Sequence, residues 1–62
     1  MTAPVLGTPA GVGAFQRGLA AQQAGRIDEA IIAYRKAIRV NPGLAPAQFN
    51  LGQLLRERGD YE

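Results

Sequence analysis

The chain lacks several residue types that small enzymes and metal-binding proteins depend on. Its 62 residues include no cysteine, no histidine, no tryptophan and no serine. Without cysteine there is neither a disulfide framework nor a thiolate metal site, and without histidine the commonest general base is absent. The remaining hydroxyl groups belong to two threonines and two tyrosines. We therefore expect this chain alone to have no catalytic residue, no metal site and no cofactor.

Long apolar runs are also missing. No apolar stretch approaches the ~18 residues that a membrane-spanning helix requires. The first ten residues carry no basic region, as a secretory signal would, and are interrupted by Pro4, Gly7 and Pro9. The sequence therefore predicts a flexible leader over residues 1–10, no membrane partner and, by default, a cytoplasmic location.

The net charge of +2 is a weak signal for nucleic-acid binding. Asp28 and Glu29 precede an apolar-periodic run whose far end carries Arg35, Lys36 and Arg39, an order that complements the dipole of a helix. Aromatic side chains do not alternate with these cations as base-stacking platforms would. A solvated helix face is favoured, and salt-sensitive binding through the three cations would support the nucleic-acid alternative.

Apolar residues recur every three or four positions along most of the chain, which is typical of amphipathic helices. Glycine and proline interrupt this pattern at short intervals and so mark the helix ends. The sequence predicts an all-α fold of three helices, which run from about Gly13 to Ala24, from Ile27 to the apolar Val40 before Pro42, and from near Pro46 to Gly59.

The first and third predicted helices repeat one another at a distance of 34 residues. Aligning residues 11–28 with residues 45–62 gives few identities, so their positions carry more weight than their number. The identical pairs are Phe15 and Phe49, Gly18 and Gly52, and Gly25 and Gly59.

In this frame the sequence resembles the tetratricopeptide repeat, a 34-residue helix-turn-helix unit with the pattern W-x2-L-G-x2-Y, A-x3-F and a final P. The positions that match its packing pattern are called here the repeat-packing residues. They are Gly18, Ala30, Tyr34, Ala37 and Pro42 in the first frame, and Leu51, Gly52 and Gly59 in the second.

The chain departs from the family pattern where the first helix should carry large side chains. Ala14, Arg17 and Ala21 stand at the W, L and Y positions of the first frame, and Gln48 and Leu55 replace W and Y in the second. The first helix therefore offers little apolar volume, as in a terminal or degenerate repeat.

The resemblance implies an antiparallel α-solenoid architecture with a first repeat over residues 11–44. Residues 45–62 would form the first helix and turn of a second, truncated repeat. Such a helix lacks its own second helix, so we expect Leu51, Leu54 and Leu55 to be left partly in water. This predicts a fragment or N-terminal piece that is marginally stable or self-associates through its last helix.

The resemblance also implies a protein-protein interaction scaffold that binds a peptide or partner helix in a concave groove. Whether Phe15 and Phe49 contact a ligand or only fill the core stays open. The carboxylate-clamp version of the family is not matched, because Phe15 and Leu19 replace its first two polar residues and only Asn50 fits. The candidate partner groove comprises Phe15, Leu19, Gln22, Phe49, Asn50, Gln53 and Arg56.

Two further interpretations concern the end of the chain. The alternative function is the N-terminal repeat edge of a larger multidomain enzyme such as a glycosyl-, sulfo- or methyltransferase. The triplet Arg58-Gly59-Asp60 looks like an adhesion signal, but we interpret it as a helix end in which Gly59 caps one helix and Asp60 caps the next.

Overall fold

The structure, a computed structural model, describes residues 9–59. Three helices account for most of this range: α1, Val12–Gln23; α2, Ile27–Val40; and α3, Ala45–Arg58. No strand occurs within residues 9–59. Successive helices pack against one another, α1 on α2 and α2 on α3. The predicted all-α helix-turn-helix fold is confirmed.

The turn between α1 and α2 closes in a way that requires a left-handed residue. Gly25 has φ 81°, and its N–H donates to the carbonyl of Gln22 at 3.0 Å. The N–H of Arg26 donates to the carbonyl of Ala21 at 2.8 Å. This pair of hydrogen bonds satisfies the last carbonyls of α1 in a Schellman motif, for which glycine is the preferred residue. The chain therefore reverses into α2 within three residues.

The turn between α2 and α3 is held by Asn41. Its side-chain oxygen accepts the N–H of Gly43 at 3.2 Å, forming a local turn that substitutes for helical hydrogen bonding. Its side-chain nitrogen donates to the carbonyl of Ala10 at 2.9 Å. Because Ala10 lies just before α1, this one side chain ties the beginning of α1 to the α2–α3 turn.

The core consists of two small apolar clusters. The first contains Ala30, Ile31 and Tyr34 of α2 together with Leu54 of α3. The second is a set of alanines, one from each helix: Ala14, Ala37 and Ala47. Small side chains at this meeting point let the three helices approach closely, which larger residues would prevent.

The expectation that Leu54 would be left partly in water is wrong. Leu54 is only 1% exposed because it faces Ala30, Ile31 and Tyr34 of the preceding repeat. Leu51 and Leu55, on either side of it, are partly buried. Val40, at which the second predicted helix ends, is 52% exposed and belongs to neither apolar cluster.

Candidate functional site

The contact between Gly18 and Tyr34 joins α1 to α2. Both residues are buried, and a Cβ atom placed on Gly18 would overlap the Tyr34 ring. Only the absence of a side chain at position 18 therefore allows the ring to lie against the α1 backbone. Ala30 and Ala37, one turn to either side on α2, are both 0% exposed.

The Tyr34 side chain is also held at its edge and its tip. Its ring centroid lies 5.8 Å from that of Phe15, with the two planes tilted by 36°. Its hydroxyl donates a hydrogen bond of 2.6 Å to Oε1 of Gln22. A buried tyrosine needs such a polar partner, and here a predicted groove residue supplies it.

The equivalent glycine of the second frame has a different environment. Gly52 lies in the middle of α3, and a Cβ placed on it would meet nothing within 4 Å. Gly18 therefore faces a tyrosine ring, whereas the corresponding space beside Gly52 is open.

The other repeat-packing residues lie nearer the surface. Leu51 is partly buried and borders a depression shared with Arg35 and Arg39. Pro42 is exposed, and its carbonyl accepts a hydrogen bond from the side chain of Gln48. Gly59 is exposed and, with φ 85°, ends α3 in the left-handed conformation.

The triplet at the end of the chain lies only partly within the described residues. Arg58 forms an ion pair with Asp28 in the first turn of α2 and so connects the end of α3 to the beginning of α2. The capping role predicted for Asp60 lies outside residues 9–59.

Each residue of the partner groove has some exposed surface. Phe49 is the most prominent, because the residue is 64% exposed and belongs to neither apolar cluster. Phe15 and Leu19 are partly buried against the first cluster, the one that also contains Leu54 of α3. The polar members Gln22, Asn50 and Gln53 are partly exposed, and Arg56 is exposed.

A second concave surface lies between α1 and α2 and was not expected from the sequence. It has a volume of about 410 Å³ and is called here the outer groove. Its signal in the sequence is the small size of Ala14 and Ala21, which stand at the W and Y positions of the first frame. Its apolar lining consists of Ala14, Ala20, Ala21, Ile32 and Ala33, and its charged lining of Arg17, Arg26, Glu29 and Lys36.

Neither a metal-binding cluster nor a membrane-spanning helix occurs within residues 9–59. No group of three or more acidic, histidine or cysteine side chains lies close enough together there to hold a metal ion. None of the three helices is both long enough and apolar enough to cross a bilayer.

Comparison with known proteins identifies the family of this three-helix unit. A family model described as TPR repeat matches residues 18–59, about two thirds of the chain. The chain belongs to the TPR repeat family. The match begins at Gly18, where Tyr34 packs, and ends at Gly59, which caps α3. The resemblance seen in the sequence is thereby confirmed.

TPR repeats are, in general, protein-protein interaction modules rather than catalytic units. No curated protein and no solved structure was found to match the chain. The general function class therefore follows from the family, and the surface that this TPR unit uses has to be argued from its own residues.

Proposed function

We propose that this TPR unit binds a peptide or helix of a partner protein along the partner groove. The observation that carries the proposal is the exposure of Phe49, a large apolar residue that is 64% exposed. Aromatic side chains are enriched among the residues that contribute most to binding energy at protein interfaces. Phe49 joins neither apolar cluster, so its surface is free for a partner rather than needed by the fold.

The residues on the α1 side of the partner groove are held in place by the fold. Phe15 and Leu19 are partly buried against the cluster that contains Leu54, so the fold already restrains their positions. Gln22 is restrained as well, because its Oε1 accepts the hydroxyl proton of Tyr34. The amide NH₂ of Gln22 is then directed by that bond and would donate to a carbonyl of the partner.

The polar residues of the groove define the chemistry of the partner. Gln22, Asn50 and Gln53 carry side-chain amides, which both donate to and accept from peptide groups. Arg56 adds a positive charge, and the groove contains no carboxylate. We therefore expect a segment that has at least one large apolar side chain for Phe49, accessible backbone groups for the amides, and an acidic residue near Arg56.

Peptide selection followed by titration tests this proposal. A displayed library of random peptides is selected on the full 62-residue chain, and the selected sequences are titrated against variants by calorimetry. We expect Phe49→Ser to weaken binding about tenfold or more, because an aromatic anchor typically contributes more than ~1.4 kcal/mol. Gln53→Ala is expected to weaken it less, by about twofold to tenfold.

The matched control is Val40→Ser. Val40 is 52% exposed, similar to Phe49, but it lies on α2 outside the partner groove. We expect this variant to bind the selected peptides as the unchanged chain does. If Phe49→Ser and Gln53→Ala also bind them unchanged, the partner groove is not the binding surface.

The alternative function concerns a larger protein of which this unit would be one edge. No feature of residues 9–59 favours the N-terminal repeat edge of a transferase over an independent interaction module. Self-association through α3 likewise stays a prediction. Sedimentation of the full chain over a range of concentrations measures it directly.

A further inference from the structure

The outer groove combines an apolar lining with an excess of positive charge. Five of its nine lining residues are alanine or isoleucine, and four are charged. Its three cations and one carboxylate give it a net charge of +2. Arg26 and Glu29 form an ion pair with one another at 3.7 Å, which leaves Arg17 and Lys36 as the source of the excess.

This surface is separate from the partner groove. On α1 the outer groove uses Ala14, Arg17 and Ala21, whereas the partner groove uses Phe15, Leu19 and Gln22. With 3.6 residues per turn, the two sets are centred roughly 130° apart around the helix, one on each side of Gly18, which faces α2. A ligand in one groove therefore does not occupy the other.

The small side chains that line the outer groove are suited to the close approach of a helix. Alanines on both walls allow a third helix to approach α1 and α2 closely, with its larger side chains entering the space between them. Ile32, 67% exposed, would be covered by such a helix. An α1 of 12 residues offers about 18 Å of length, enough for roughly three turns of a partner helix.

We propose that the outer groove binds an acidic amphipathic helix of a second protein, independently of the partner groove. Its apolar face would cover Ile32 and the alanines, and acidic residues along its edge would face Arg17 and Lys36. Charge complementarity selects this occupant. A second copy of the chain is a poorer fit, because each of its three helices carries more basic than acidic residues.

Nucleic acid is a less suitable occupant on the same evidence. No aromatic side chain lines the outer groove, so bases would have nothing to stack on. A bound phosphate backbone would not cover the apolar lining of the outer groove, which would remain in contact with water. The lining of the outer groove therefore favours a protein ligand over a nucleic acid.

The experiment titrates the full chain with a labelled helical peptide of about 14 residues. The peptide carries leucine at every third or fourth position and glutamate along both edges. A matched peptide has lysine in place of each glutamate, and single-stranded and duplex oligonucleotides form a third arm. We expect fluorescence anisotropy to detect binding of the acidic peptide alone, and this binding to weaken as salt is added.

Paired variants test which residues are responsible. Arg17→Glu is expected to weaken binding of the acidic peptide about tenfold, whereas Arg39→Glu, with the same change in net charge outside the outer groove, should change it less than about twofold. Ile32→Ser is expected to weaken binding about fivefold, whereas Val40→Ser should not. Phe49→Ser distinguishes the two surfaces: a peptide bound in the outer groove keeps its affinity within about twofold in this variant, whereas a larger loss would place the peptide in the partner groove and overturn the proposal.

Three further outcomes would overturn the proposal. The first is equal loss of binding in Arg17→Glu and Arg39→Glu, which would indicate attraction by net charge alone. The second is tighter binding of an oligonucleotide than of the acidic peptide, sensitive to Arg17→Glu. The third is sedimentation of the chain as a dimer that Ile32→Ser dissociates, because the groove would then be filled by a second copy.

Discussion

A glycine and a tyrosine ring set the distance between α1 and α2. Gly18 and Tyr34 are buried against each other, and any side chain at position 18 would have to displace the ring. The ring cannot move freely, because Phe15 lies beside it and Gln22 holds its hydroxyl. Gly52, the equivalent residue of α3, has no such neighbour.

This difference predicts opposite effects for the same substitution at the two glycines. Gly18→Ala should lower the free energy of unfolding by about 1–3 kcal/mol, because the new methyl group is forced into the ring. Gly52→Ala should raise it by about 0.5–1 kcal/mol, because alanine in a helix restricts the unfolded chain and meets no obstacle. Urea unfolding followed by circular dichroism measures both. A loss of stability in both variants would mean that Gly52 is as closely packed as Gly18.

At the scale of the elements, α2 is the helix on which the other two depend. It packs against both neighbours, whereas α1 and α3 each depend chiefly on α2. Two fully buried side chains attach α3: Ala47 in the alanine cluster and Leu54 in the first cluster. The ion pair of Arg58 with Asp28 joins the far end, but it is exposed and contributes no more than ~1 kcal/mol.

This attachment predicts that α3 can be released selectively. Leu54→Ala should lower the free energy of unfolding by about 2–5 kcal/mol and remove amide-hydrogen protection from α3 before α1 and α2. Leu55→Ala should cost less, under about 2 kcal/mol, because Leu55 is only partly buried. Hydrogen exchange followed by nuclear magnetic resonance resolves the three helices. Equal loss of protection in α1 and α3 of Leu54→Ala would show that the unit unfolds as a whole.

At the scale of the whole molecule, the charged residues contribute more to the binding surfaces than to the stability of the fold. The ion pairs Arg26–Glu29 and Arg58–Asp28 are exposed, and no charged residue is buried within residues 9–59. The net charge of +2 is small, but both candidate binding surfaces have a positive excess. Folding therefore depends on apolar packing, and recognition depends partly on electrostatics.

Added salt should separate these two dependences. Between low and high ionic strength we expect the melting temperature to change by less than about 5 °C, since exposed ion pairs contribute little. Over the same range the acidic peptide should lose most of its affinity, because its attraction to Arg17 and Lys36 is screened. Thermal melts and anisotropy titrations on the same samples compare the two. If added salt also lowers the melting temperature by much more than about 5 °C, the exposed ion pairs have a larger role in folding.

The amino-acid sequence by itself determined the helices and the contacts that recur with the repeat. Glycine and proline set the helix ends, and the tetratricopeptide pattern placed both Gly18 and Tyr34 among the repeat-packing residues of one unit. The tertiary structure alone decided which side chains are covered by a neighbouring unit. Leu54 is buried and Phe49 exposed although both are apolar residues of α3, since periodicity identifies the faces of a helix but not what lies against each of them.

The outer groove and the bond from Tyr34 to Gln22 belong to the same class of feature. Each depends on distances between residues of α1 and α2, and these distances follow from how closely Gly18 and the alanine cluster let the helices pack. Helical periodicity predicts which residues share a face of one helix, but it does not predict the distance between two helices. The sequence therefore determined the repeat, and packing decided which of its surfaces remain open to a partner.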